Sequence, residues 1–170
     1  MKIKKKIILF IVPVILILVA CNMANTPTSK VENLFTKYQK LDDDIDSGIE
    51  SVLEEQNLTE SRKDRYRTIL ENQYKNLTYQ IKDEEIDGDK ATVTVEIEVI
   101  DLKKSVNDLV YDNTIYSTKD EYDEEKLNRL ENAKDKVKYT LDLTLTKDDN
   151  DEWTLDALTN IDIKKIQGMY

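Results

Sequence analysis

The chain has 170 residues, of which 35 are acidic and 25 basic, with no histidine, one cysteine and three glycines. Without histidine it has no Ser-His-Asp or Cys-His nucleophilic machinery and no histidine-ligated zinc, and one cysteine forms neither an internal disulfide nor a thiolate metal site. Three glycines provide no phosphate-binding loop of the GxGxxG or Walker type, so we expect no cofactor.

The amino terminus predicts a lipoprotein signal peptide over residues 1–20. Four lysines among the first six residues precede an apolar run over residues 7–20, which is shorter than the roughly 20 residues that cross a bilayer. The run ends in Leu18-Val19-Ala20-Cys21, the pattern of the bacterial lipobox. We expect cleavage between Ala20 and Cys21 and a diacylglyceryl thioether on Cys21. The alternative is a short transmembrane anchor with a buried structural cysteine.

The predicted anchor places the mature protein on the extracytoplasmic face of the cell membrane, where two acyl chains hold it. Cleavage removes four lysines and leaves 21 basic against 35 acidic side chains, a net charge of −14. A domain of that charge repels nucleic acid and anionic headgroups, so we expect no nucleic-acid partner and no membrane contact beyond the lipid. Residues 21–28 are predicted as the lipidated cysteine and a short polar tether, and residues 29–170 as one domain.

The first half of that domain has helical periodicity. The pattern Ser29-Lys30-Val31-Glu32 is typical of a capping box, and apolar residues recur behind it at helical spacing as far as Ile45. We predict a first helix from Ser29, which Asp46-Ser47-Gly48 can interrupt although the apolar phase continues beyond it. By the same capping logic, Asn57-Leu58-Thr59-Glu60 opens a second helix.

The period then changes from 3.6 to 2, which predicts strands. The first runs from Thr78 to Ile86 and ends in the hairpin turn Asp87-Gly88, and the second runs from Lys90 to Leu102. One face of the second strand is apolar and the other polar, as in antiparallel sheets. Residues 105–136 are predicted as a helical insertion in two pieces, with a possible capping box at Thr118 to Glu121. Strands over residues 137–146 and from residue 153 complete the order α-α-β-β-α-β-β.

The hairpin Ile86-Asp87-Gly88-Asp89-Lys90-Ala91-Thr92-Val93-Thr94-Val95, the closing segments Trp153-Thr154-Leu155 and Ile166-Gln167-Gly168-Met169-Tyr170, and the leader resemble a known group. The chain is similar to the uncharacterised lipobox lipoproteins of low-GC Gram-positive bacteria that carry an NTF2-like (cystatin-like) domain. The resemblance covers essentially all of the mature chain. It implies an α+β fold with two amino-terminal helices, a curved antiparallel sheet of about four strands, a helical insertion between strands 2 and 3, and often a concave pocket. It brings no catalytic residues.

Two acidic turns form a candidate cation site. If the four strands pair in sequence order, Asp87 and Asp89 fall at the same end of the sheet as Asp148, Asp149 and Asp151. Five carboxylates gathered there would repel one another, and a hard cation such as Ca²⁺ would relieve that repulsion. The alternative is ordinary solvated turns, which favour aspartate for backbone reasons. The separate acidic run over residues 42–48 fits neither register of a calcium-binding loop, and we expect a helix face or helix end there.

The chain has nine tyrosines and, beyond the leader, only one phenylalanine. Tyr66, Tyr74, Tyr79 and Tyr139 lie in phase with apolar neighbours. They would form either the rim of a pocket or partner surface, or the edge of the core with solvated hydroxyls.

We therefore expect a non-catalytic binding or interaction module whose partner is an unknown protein or small-molecule ligand. Two alternatives stay open: a pocket that captures a small molecule or cation for uptake or sensing, and a small isomerase- or hydrolase-like enzyme that uses carboxylates and tyrosine. A deep apolar cavity with a buried carboxylate beside a tyrosine favours the enzyme. A filled core with an exposed tyrosine-rich patch favours a protein partner, and an open acidic cleft favours cation capture.

Overall fold

The structure is a computed structural model that describes residues 25–55 and 58–170. The described chain is α+β, as predicted. Its helices are α1 (Pro27–Lys40), α2 (Asp43–Glu55), α3 (Glu60–Lys75), α4 (Leu102–Val106), α5 (Lys119–Glu131) and α6 (Asn160–Ile166). Its strands are β1 (Thr78–Asp87), β2 (Lys90–Ile100), β3 (Lys136–Lys147) and β4 (Trp153–Leu155). None of these helices is both long and apolar enough to cross a membrane. The lipobox Leu18-Val19-Ala20-Cys21 lies outside the described residues.

The four strands form one antiparallel sheet in the order β1-β2-β3-β4, which meets the condition on which the expected position of the two acidic turns depended. β2 pairs with β3 along its whole length, from Lys90 opposite Thr146 to Ile100 opposite Lys136. The apolar face predicted for β2 is buried at all five positions, Ala91, Val93, Val95, Ile97 and Val99. Because successive side chains of a strand point to opposite faces, the threonine and glutamate side is left half-buried.

Helix α3 separates two hydrophobic cores. Its residues Leu70 and Tyr74 pack in the main core, which includes the buried face of the sheet together with Val31 and Phe35 of α1. Ile69, the residue directly before Leu70, packs in a second, smaller core. The other buried members of this core are Leu102, Leu127 and Leu130. The second core therefore attaches the insertion between β2 and β3 to the rest of the domain.

The first helix begins earlier than predicted. Thr26 is its N-cap, because the Thr26 hydroxyl accepts from the Ser29 N–H and the Ser29 hydroxyl accepts from the Thr26 N–H, both at 3.2 Å. Pro27 stands at the first helical position, where its missing N–H costs nothing. The predicted capping box from Ser29 to Glu32 is therefore wrong. Asn25 to Thr28, which were assigned to the tether, already contact the domain.

Three helices precede the sheet, so the prediction of two is wrong. Helix α1 ends where Leu41 adopts a left-handed conformation, with φ of 52°. The next residue opens α2, because the Asp42 carboxylate accepts from the Asp44 N–H at 3.1 Å. Three aspartates in the first turn of α2 suit the positive end of the helix dipole. The break therefore falls at residues 41–42, and Asp46-Ser47-Gly48 lies inside α2.

The insertion contains two helices, but only α5 lies within the predicted helical span of residues 105–136. Helix α4 (Leu102–Val106) begins at the last residue predicted for the second strand, and residues 107–118, predicted as helical, form a loop. Thr118 caps α5 by accepting from the Glu121 N–H at 3.2 Å. The Glu121 carboxylate accepts from the Ser117 N–H at 2.8 Å, so the reciprocal half of the capping box falls one residue before Thr118. Sequence periodicity did not predict helix α6, which is only seven residues long and is opened by a capping box of Thr159 and Asp162.

Candidate functional site

Gln73 is the one buried polar side chain among residues 25–54 and 58–170, with 1% exposure. Its amide nitrogen donates to the Ile100 carbonyl at 2.9 Å, and its amide oxygen accepts from the Ile100 N–H at 3.1 Å. The side chain therefore satisfies the backbone at the end of β2. Because no carboxylate is buried in this part of the chain, the buried carboxylate beside a tyrosine that would favour an enzyme is not found there.

The four tyrosines singled out in the sequence all pack against the cores. Tyr74 is 5% exposed and meets the ring of Tyr38 edge to face, with 5.0 Å between ring centroids. Tyr79 stacks on Phe35 at 4.8 Å. Burial raises the pKa of the Tyr74 hydroxyl above its ordinary value of 10.0. Tyr66 and Tyr139 are partly buried against the same packing, so the core-edge alternative describes this set.

The structure places the two acidic turns at the same end of the sheet, where the Lys147 N–H donates to the Asp89 carbonyl at 2.8 Å. The Asp148 carboxylate is used by its own turn: it accepts from the Glu152 N–H at 3.0 Å and the Asn150 N–H at 2.8 Å, and these bonds lower its pKa. Among the described residues, no three acidic, histidine or cysteine side chains are grouped to hold a metal ion. The fold thus brings together the turns of Asp87, Asp89, Asp148, Asp149 and Asp151 without gathering their carboxylates into a cation site.

A different group of side chains is the strongest candidate site. We call it the tyrosine patch and define it as Val110, Tyr111, Ile115, Tyr116 and Tyr122. Val110 is 69% exposed, Tyr111 44% and Ile115 70%. The ring of Tyr122 lies at the centre, with Tyr111 and Tyr116 edge to face against it at 5.6 and 5.4 Å. Edge-to-face rings stabilise one another beyond their burial, so the three tyrosines form an organised apolar surface.

The loop that carries the patch is held in shape by Asp112. Its carboxylate accepts from both the N–H and the hydroxyl of Thr114 at 2.7 Å, which lowers the pKa of Asp112. Its carbonyl accepts from the Ile115 and Tyr116 N–H groups at 3.0 and 2.9 Å. Arg129 of α5 holds the start of the loop through Asp108 at 2.7 Å. The exposed side chains are therefore presented by a turn with its own hydrogen bonds.

Two arginines of α3, which we call the arginine clamp, fix α5 in place. Arg65 binds Glu131 through two parallel bonds of 2.6 and 2.8 Å and also binds Glu124 at 2.6 Å. Arg62 binds the other oxygen of Glu124 at 3.1 Å and Asp120 at 3.0 Å. Bidentate arginine–carboxylate pairs are directional, so the clamp sets the position of α5 against α3.

An open cleft of about 440 Å³ adjoins the tyrosine patch along α5. Its lining residues are Tyr116, Asp120, Glu121, Glu124, Glu125 and Asn128. Four of these six are carboxylates, and the clamp already holds two of them. The site therefore combines a cluster of one exposed and two half-buried tyrosines with an acidic border.

The arginine clamp predicts an acid-sensitive position of α5. Arg65 lowers the pKa of Glu131, and Arg65 with Arg62 lowers that of Glu124, each from an ordinary value of 4.5. Groups whose pKa is lowered on folding stabilise the protein above their ordinary pKa, and this stabilisation is lost as the pH falls through the lowered values. We expect Arg65→Gln to have a lower melting temperature than the unmodified protein at pH 7, and the difference to be much smaller at strongly acidic pH, where the bond from Arg65 to the neutral Asn128 side chain remains.

Thermal unfolding followed by circular dichroism across pH 2–7 measures this difference. Lys63→Gln is the matched control, because it removes one charge from α3 whose ion-pair partner, Glu60, lies on the same helix. A difference between Arg65→Gln and the unmodified protein that is the same at both ends of the pH range would contradict the assignment.

Sequence reasoning singled out four other tyrosines and did not identify Tyr111, Tyr116 or Tyr122 as a site. The available signal was local composition, since three tyrosines, one valine and one isoleucine fall within 13 residues of an acidic segment. No family model, no curated protein and no solved structure matches this chain.

Proposed function

We propose that this protein is a lipid-anchored, extracytoplasmic, non-catalytic binding module that docks a protein partner on the tyrosine patch. The observation that carries the proposal is the clustering of exposed apolar surface. Six large hydrophobic side chains are exposed in the described chain, and three of them lie between residues 110 and 115. Exposed apolar groups scattered singly need no explanation, whereas a contiguous group marks an interaction surface.

The partner we propose is a protein segment that carries lysine or arginine beside an apolar side chain. Residues 105–132 contain eight acidic and three basic side chains, so the surroundings of the patch have a net charge of −5. Tyrosine rings accept both apolar contacts and cations on their faces, and tyrosine is enriched among the residues that dominate interface energies. Charge complementarity would then guide the encounter, and the patch would supply the buried contact.

The finer fold assignment, an NTF2-like (cystatin-like) domain, belongs to the same proposal. It is supported by the antiparallel order of the sheet, by helices packed on one face only, and by the insertion between β2 and β3. The lipid anchor rests on the lipobox at Leu18-Val19-Ala20-Cys21.

A single substitution in the patch tests the docking surface. We expect Ile115→Ser to weaken partner capture roughly 5-fold or more, because truncation of an interface side chain that contributes to binding costs more than about 1 kcal/mol. Its effect on folding stability should be within about 0.5 kcal/mol, since Ile115 is 70% exposed. The measurement is the yield of site-specific photo-crosslinking from position 113 in intact cell envelopes.

Ile161→Ser is the matched control, because it makes the same change at a 51% exposed isoleucine on α6. We expect Ile161→Ser to leave the yield from position 113 unchanged. Equal losses from the two variants, or no loss from Ile115→Ser, would argue against the patch as the docking surface. A yield that falls as salt is raised would support the charge complementarity.

A further inference from the structure

The chain enters the domain at one end of the sheet. The Asn25 side-chain amide donates to the Asp151 carbonyl at 2.8 Å and accepts from the Trp153 N–H at 2.9 Å. Three residues later, the N–H and hydroxyl of Thr28 donate to Glu84 of β1 at 2.9 and 2.7 Å. These contacts fix residues 25–28 to both edges of the sheet, next to the two acidic turns.

The insertion is attached at the opposite end. Lys90 and Ile100 mark the two ends of β2, which at about 3.3 Å per residue spans roughly 33 Å. The insertion leaves the sheet after Ile100 and returns at Lys136, and these two residues are paired. The Asp101 N–H donates to the Asp135 carbonyl at 2.7 Å and closes its base. The tyrosine patch therefore belongs to a segment rooted a full strand length away from Asn25.

We propose that the acidic-turn end of the sheet faces the membrane and that the insertion end faces away from it, so that the partner reaches the tyrosine patch from the side opposite the bilayer. This inference rests on the proposed lipid anchor at Cys21. Only four residue steps separate Cys21 from Asn25, and a fully extended chain covers at most about 14 Å over that length. The acidic-turn end is therefore held closer to the lipid than the insertion end.

Charge does not select this orientation, because the acidic turns of Asp87, Asp89, Asp148, Asp149 and Asp151 lie at the end that faces the membrane. The domain has a net charge of −14 once the four leader lysines are removed, so an anionic membrane surface repels it. At physiological salt this repulsion decays over about 8 Å, which is less than the reach of the tether. The domain therefore stands off the headgroups, and the short tether alone determines which end is nearer the bilayer. The partner is therefore a protein outside the bilayer, and a protein embedded beside the anchor in the same leaflet would meet the wrong end.

The full lipidated chain allows a direct measurement, because lipidation consumes its one native thiol. We would introduce a cysteine by Asn150→Cys at the acidic-turn end, Lys134→Cys at the base of the insertion, or Asn113→Cys in the patch loop. All three positions are exposed. Each variant is labelled with a donor dye and reconstituted in vesicles of phosphatidylglycerol and phosphatidylethanolamine that carry an acceptor dye on their headgroups.

We expect energy transfer from position 150 to be several times that from positions 134 and 113. Vesicle flotation of the same samples reports anchoring separately. Protein that floats but shows equal transfer from all three positions, or greater transfer from 134 or 113, overturns the orientation and leaves the anchor standing. Protein that does not float overturns the proposed anchor, and the orientation with it.

Discussion

Gly168→Ala is expected to destabilise the protein by about 3–5 kcal/mol, which is a large part of the stability of an ordinary domain. Gly168 follows α6 and has φ of 67°, in the left-handed region that residues with a Cβ rarely adopt. That conformation alone costs an alanine about 1–2 kcal/mol.

The larger cost comes from the neighbours of Gly168. An added Cβ would overlap the Ile100 carbonyl oxygen and would lie 2.5 Å from the amide nitrogen of Gln73. The Ile100 backbone cannot move aside freely, because Gln73 binds both its N–H and its carbonyl, and because Ile100 pairs with Lys136. The clash would therefore disrupt the buried hydrogen bonds between Gln73 and Ile100 and displace the end of β2.

Two other glycines provide matched controls. Gly88 also has a positive φ, of 60°, but an added Cβ there meets no atom within 4 Å, so Gly88→Ala should cost only the backbone penalty of about 1–2 kcal/mol. Gly48 lies inside α2 with open space around it, and Gly48→Ala should stabilise by up to about 1 kcal/mol. Urea unfolding of the purified proteins gives all three values. Equal losses for Gly168→Ala and Gly88→Ala would show that the contact with Ile100 contributes nothing.

The same contact also helps to position the candidate site. The Gly168 carbonyl accepts from the Lys103 N–H of α4 at 2.8 Å, and Met169 packs against the second core. Ile100 is the last residue of β2 before the insertion. A displacement at Gly168 would therefore move the base of the insertion that carries the tyrosine patch. Its effect on the five residues of the patch would be indirect.

The strands were predictable from sequence because each depends on a pattern that is local and has one dominant cause. Val93, Val95 and Ile97 alternate with polar residues, and a half-buried strand is the simplest structure that buries such a set. The helix boundaries depended on competition between neighbouring caps. The sequence indicated Asp46-Ser47-Gly48 as the break, whereas the Asp42 carboxylate places it at residues 41–42 by capping α2.

The candidate site was harder to predict because its residues follow no period. Tyr111 and Tyr116 come from a loop and Tyr122 from α5, and they meet only once that loop turns back on the helix. The acidic turns show the converse case. Their shared position at one end of the sheet followed from strand order, but the direction of each carboxylate depends on local bonds, such as those of Asp148 to Asn150 and Glu152.

Cys21→Ser is expected to abolish stable membrane attachment or to leave the chain unprocessed. A hydroxyl cannot carry the diacylglyceryl thioether, and two acyl chains are the difference between stable and marginal membrane binding. The charge of −14 on the mature domain would not replace them, since an anionic surface repels it. Membrane fractionation and intact mass measurement report the two outcomes: released protein without the lipid, or protein that retains residues 1–20.

Asn22→Ser is the matched control, because it makes a serine at the next position and keeps the thiol. We expect it to be processed, lipidated and membrane-bound like the unmodified protein. If the unmodified protein and Cys21→Ser were equally membrane-bound and differed in mass only by the substitution, the anchor would be a short transmembrane segment instead of a lipid.

Released Cys21→Ser protein also separates anchoring from docking. Asn25 is already fixed to the sheet, and the tyrosine patch lies on a segment rooted at Ile100 and Lys136, so the substitution should leave the patch intact. We therefore expect the released protein to bind its partner in solution with unchanged affinity, while crosslinking in cell envelopes falls because the two are no longer held at the same surface. Loss of solution binding together with the anchor would mean that the partner recognises the lipidated amino terminus instead of the patch.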